Sequence, residues 1–90
     1  MKDREELKLI AAYDRNQNEY FMVAHNQSPD EAERYLEKWG HHLREGYSLI
    51  VLGQAKHHRT EQEQDCKACR ETVARSAHLQ PQPKFKRRSE

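Results

Sequence analysis

Ninety residues, 34% apolar and 34% charged, give one small domain with a thin core, the kind that commonly adds a metal, a disulfide or a partner subunit. The net charge of +1 argues against binding nucleic acid by bulk charge alone. No apolar run approaches the ~20 residues that span a bilayer.

The opening "MKDREELK" is charged and leads into no signal-like apolar segment. The expectation is a cytoplasmic protein. Thiols in that compartment are kept reduced, so Cys66 and Cys69 are expected free or metal-bound rather than disulfide-linked.

"LKLIAAY" (Leu7 to Tyr13) reads as a strand with Leu7, Leu9, Ala11 and Tyr13 on one face. "DRNQN" is a polar turn, and "EYFMVAH" (Glu19 to His25) is a second strand rich in aromatic and branched side chains. The two form a hairpin.

"SPDEAERYLEKWGHHLREG" reads as a helix. Ser28 is the N-cap, Pro29 suits the first turn, and Asp30 and Glu31 oppose the positive end of the helix dipole. Ser28 with Glu31 is a capping-box pair. Ala32, Leu36, Trp39 and Leu43 form an apolar stripe flanked by Tyr35. Gly46 is the expected stop, and Gly40 inside the pattern suggests a close backbone approach.

"YSLIVLGQA" (Tyr47 to Ala55) is the third strand. Its unbroken apolar run from Leu49 to Leu52 suggests burial on both faces. A right-handed crossover makes it parallel to the second strand. The expected sheet is three-stranded and antiparallel between neighbours, in the order 2-1-3, with the helix on one face. A second helix is expected over 61–79, started by the capping-box pair Thr60 and Glu63. Cys66, Cys69, Val73 and Ala77 then share one stripe. Residues 80–90, with two prolines and a "KFKRR" run, read as a disordered basic tail. The fold class is α+β, a ββαβα domain over 1–79 followed by that tail.

The chemistry concentrates in "HHRTEQEQDCKAC" (His57 to Cys69). Cys-x-x-Cys is a common zinc knuckle, because its short spacing brings two thiolates to one ion. His57 or His58 is the expected third ligand. His78 joins only if the helix breaks or another chain supplies it, since nine residues of helix separate it from Cys69 by about 13 Å. The plainer reading takes precedence: both thiols are small apolar fillers of the helix stripe. A redox reading ranks third, since the acids Glu61, Glu63 and Asp65 disfavour a thiolate. His41 and His42 read as solvated surface, and His25 as structural. No Ser-His-Asp order and no glycine-rich phosphate loop is visible.

Lys84, Lys86, Arg87 and Arg88 around Phe85 combine phosphate-binding charge with a ring able to stack on a base. Lys67, Arg70 and Arg75 of the second helix extend that surface. The same run also suits an acidic protein partner. Without it the body is slightly acidic: Met1 to Arg59 holds nine Lys and Arg against ten Asp and Glu. The sequence thus favours a non-enzymatic binding or adaptor protein that acts through protein contacts and, in the metal reading, is stabilised by zinc. Nucleic-acid binding is the alternative and thiol redox work through Cys66 and Cys69 the second. Exposed sheet edges and a thin core leave self-association open as well.

Overall fold

The first two strands are β1, Lys8–Asp14, and β2, Glu19–Gln27, joined by a four-residue turn. They belong to a computed structural model that describes residues 7–54, 62–76 and 78–87. The turn is held by its own polar side chains. Asp14 Oδ1 accepts from the Asn16 amide at 3.0 Å, and the Tyr13 hydroxyl donates to Asn18 Oδ1 at 2.8 Å. Asn18 sits at φ 54°, a left-handed conformation that asparagine tolerates.

Helix α1, Pro29–Trp39, begins as expected. Ser28 Oγ accepts from the Glu31 amide at 3.1 Å, and Glu31 Oε1 accepts from the Ser28 amide at 2.9 Å. The helix is shorter than the apolar pattern suggests. From Gly40 it tightens into a 3₁₀ turn, Gly40–His42. Gly40 faces open space rather than a close backbone neighbour, whereas Gly46, at φ +93°, is the true left-handed position.

Strand β3, Tyr47–Gly53, follows. It pairs antiparallel with β1 along all seven residues, from Lys8 opposite Gly53 to Asp14 opposite Tyr47. The expected 2-1-3 arrangement is therefore present, but within a larger mixed sheet of order β3-β1-β2-β4. The added strand, β4, is Lys84–Phe85, which runs parallel to Glu19–Tyr20 of β2. This corrects the three-stranded sheet and the disordered tail. The Phe85 ring supplies the reason: it lies 5.3 Å from the Tyr20 ring and under the Arg70 guanidinium at 5.0 Å. Two backbone bonds, Lys84 N to Asn18 O (2.9 Å) and Lys86 N to Tyr20 O (2.7 Å), fix the strand.

The expected helix over 61–79 is also corrected. A 3₁₀ turn, Glu63–Asp65, leads to an extended Cys66 (φ −78°, ψ 104°), and α2 covers only Lys67–Ala74. The polar stretch before Cys66 is used in contacts with β2, where Gln64 Nε2 donates to Met22 O at 2.7 Å. Thr60, Glu61 and Ala77 lie outside the described residues.

Alternation along the strands divides the core into two layers. Leu9, Ala11 and Tyr13 of β1, with Tyr20 and Met22 of β2, pack under α2 against Cys66, Cys69 and Val73. Ile10 and Ala12 face the other way, toward α1, whose one buried residue is Ala32. The central strand is thus β1, and its run "LIAAY" is buried on both faces. β3, expected inside from its apolar run, is half-buried at an edge. Leu9, Ile10, Met22 and Val73 are fully enclosed, each stabilising by about 1.5–3 kcal/mol. No helix among the described residues is long and apolar enough to cross a membrane.

Candidate metal centre

Residues three apart on a regular strand point to opposite faces. Met22 and His25 nevertheless both face α2. The β1–β2 register explains this: Ala11 is opposite Met22, yet Ile10 is opposite Ala24, so β2 carries one extra residue between them. Such a bulge redirects the side chains that follow it, and here it turns His25 toward the cysteines. A second irregularity follows between Lys8 and Ile10, where Asn26 takes φ 60°. Gln54, buried just after β3, holds this bend through both ends of its side-chain amide. Its Oε1 accepts from the Asn26 backbone at 2.6 Å, and its Nε2 donates to Asn26 Oδ1 at 2.6 Å.

The cysteines come from the start of α2. Cys66 is the N-cap, and Cys69 lies in the first turn. Three residues of helix separate them by nearly one full rotation, so both thiols face β2. They are fully buried, and His25 is 8% exposed. The positive end of α2 faces the group, which suits anionic thiolate ligands.

One ligand atom each from His25, Cys66 and Cys69 lie within 4.8 Å of one another. The Cys69 Sγ to His25 Nδ1 distance is 3.8 Å. A tetrahedral zinc ion, with Zn–S of ~2.3 Å and Zn–N of ~2.0–2.1 Å, requires S–N edges of about 3.6 Å and an S–S edge of about 3.8 Å. The Cys69–His25 pair is already within about 0.2 Å of its edge, and the other two separations, at most 4.8 Å, need closure of no more than about 1 Å to take one ion. On the far side of the imidazole, Glu63 Oε1 lies 3.9 Å from Nε2. That is beyond hydrogen-bond distance, but it puts a carboxylate on the side of the ring where one that closed on Nε2 would fix the tautomer of a ligating histidine. Nδ1 toward the thiols and Nε2 toward Glu63 is the orientation that arrangement needs.

Burial pushes the Tyr20 phenol above its usual value of 10.0, an effect the Arg70 charge opposes. Its hydroxyl donates to Arg70 O at 3.1 Å, tying β2 to the middle of α2.

Of the ligands the sequence suggests, Cys66 and Cys69 come together, and His25 takes the place expected for another histidine. His57 and His58 lie outside the described residues. His78 is exposed, its Nδ1 3.3 Å from Ser76 Oγ, and it is not in the group. α2 does end before His78, but the side chain stays at the surface. The only sequence signal for His25 is its three-residue offset from Met22 in an apolar strand, which a bulge alone reconciles.

The basic residues are partly occupied. Phe85 is packed on Tyr20, and Arg87 bonds Asp65 at 3.0 Å. Arg75, the C-cap of α2, pairs with Glu71 at 3.4 Å. Lys67, Lys84 and Lys86 are exposed, and Arg88 lies outside the described residues. Comparison with protein-family models, curated proteins and solved structures finds no match.

Proposed function

We propose that this chain is a small non-enzymatic binding module whose second layer is pinned by a zinc ion on His25, Cys66 and Cys69. The observation that carries the reading is the convergence of these three donors in one buried group, with the Glu63 carboxylate behind the imidazole. Zinc fits the mixed sulfur and imidazole set better than magnesium or calcium, which take oxygen ligands. The ion would join β2 to α2 and so act structurally, because α2 has eight residues, too few to be stable alone. A fourth donor would complete the tetrahedron, and His57 and His58 are its candidates from the sequence.

The burial of both thiols supports this role over redox exchange, because an incoming disulfide needs an exposed sulfur. The engagement of Phe85 with Tyr20 and Arg70 likewise favours a protein partner over stacking on nucleic acid. Cobalt substitution tests the site. The cobalt-loaded protein should show sulfur-to-metal charge-transfer bands and the intense visible bands of tetrahedral coordination. His25→Phe should weaken or lose them with the hairpin still folded. A cobalt spectrum unchanged by His25→Phe would refute the ligand set.

A further inference from the structure

The two edges of the sheet are finished differently. The β2 side is shielded: two register shifts bend the strand, and β4 covers its first residues. The β3 side has none of these devices. Among the described residues β3 pairs only with β1. Its sequence, "YSLIVLG", has no charge, no proline and no register shift against β1. Edge strands are normally blunted by such features, since an unpaired apolar edge is a template for another strand.

The apolar surface continues from this edge onto α1. Among the described residues Leu36 and Trp39 are the large exposed apolar ones, at 36% and 44%. Leu36 shares a shallow cavity with Val51 of β3, and Trp39 shares one with Leu49. Edge and stripe thus form one patch on the face opposite the cysteines.

We infer that this patch is a homodimer interface, in which β3 pairs antiparallel with β3 of a second copy. Self-pairing suits this strand because it sets no like charges opposite one another, and cross-strand contacts would join Leu, Ile and Val. A two-fold axis perpendicular to the sheet keeps both α1 helices on the same face of an eight-stranded sheet. The two Leu36–Trp39 stripes then approach across the axis, as an isologous interface requires. A net charge of +1 per chain sets little repulsion against it. A second copy also supplies the extra burial that a thin domain of this size needs.

Sedimentation equilibrium from about 1 to 200 μM, the range of a weak to moderate dimer, tests the proposal. The wild-type chain should shift from monomer to dimer with concentration. Leu49→Lys at the edge and Trp39→Glu on the helix should each weaken association at least tenfold. Hydrogen exchange on the wild-type protein decides the matter if a variant fails to fold, because β3 amides should gain protection as concentration rises. A wild-type monomer throughout the range would overturn the proposal. So would a dimer whose β3 amides exchange at the monomer rate.

Discussion

Replacing Phe85 by Ala distinguishes a docked fourth strand from a mobile tail. The ring is partly buried, tilted against Tyr20 at 5.3 Å and beneath Arg70 at 5.0 Å. A fully buried Phe→Ala costs about 3–5 kcal/mol, so a half-buried ring should cost about half of that. The aromatic pair adds about 0.5–1.5 kcal/mol. The expected loss is therefore about 2–4 kcal/mol, or about 2–4 M in urea midpoint at a slope near 1 kcal/mol per molar. Phe85→Leu should recover most of the burial and lose only the ring contacts, about 1 kcal/mol. Urea unfolding followed by far-UV circular dichroism measures both. An Ala midpoint within about 0.5 M of wild type, the size of an ordinary surface substitution, would show that β4 is not docked.

Glu63→Gln should lower zinc affinity about 10–100-fold, read by competition with a chromophoric chelator. Gln54→Ala should cost about 2–3 kcal/mol in chemical denaturation, since it strips two hydrogen bonds from the bend at Asn26. Tyr20 gives a signed pH dependence. Its folded-state value is raised, so the neutral phenol favours the fold. Unfolded tyrosine ionises first, near its ordinary value of about 10, so this part of the stability is intact below that pH and lost as pH rises through the folded value. Thermal midpoints from pH 8 to 11, a range set by the ordinary tyrosine value of about 10, should fall at the alkaline end and fall less steeply in Tyr20→Phe. Ser28→Ala should cost about 1 kcal/mol through loss of the helix cap, measured by urea midpoint.

Local rules find the elements whose signals are local. The Ser28–Glu31 capping box, the polar turn after Asp14 and the alternation of Leu9, Ala11 and Tyr13 are each written in adjacent residues. The edge position of β3 is not, because an apolar run records the chemistry of a strand and not its number of neighbours. β1 has the same kind of run and is the central strand. The second helix is shorter than its pattern implies because the polar stretch before Cys66 forms a 3₁₀ turn against β2, where Gln64 donates to Met22 O. β4 is invisible in the sequence because two residues of strand have no periodicity; only the distant Tyr20 and Arg70 give Phe85 a place to dock. The Cys-x-x-Cys half of the candidate metal centre is legible from spacing. The histidine half is not, because a bulge set by strand pairing brings His25 to cysteines more than 40 positions away.

Elemental analysis of metal per chain tests the proposed zinc centre most directly, on protein purified without chelator or affinity histidines. The account predicts close to one zinc per chain in the wild type. It also predicts little zinc in Cys69→Ser and His25→Phe, with a thermal midpoint lowered by chelator in the wild type alone. Wild-type protein that holds no zinc after refolding in its presence, or variants that retain it in full, would contradict the assignment. Cys66 and Cys69 would then be apolar packing beneath α2.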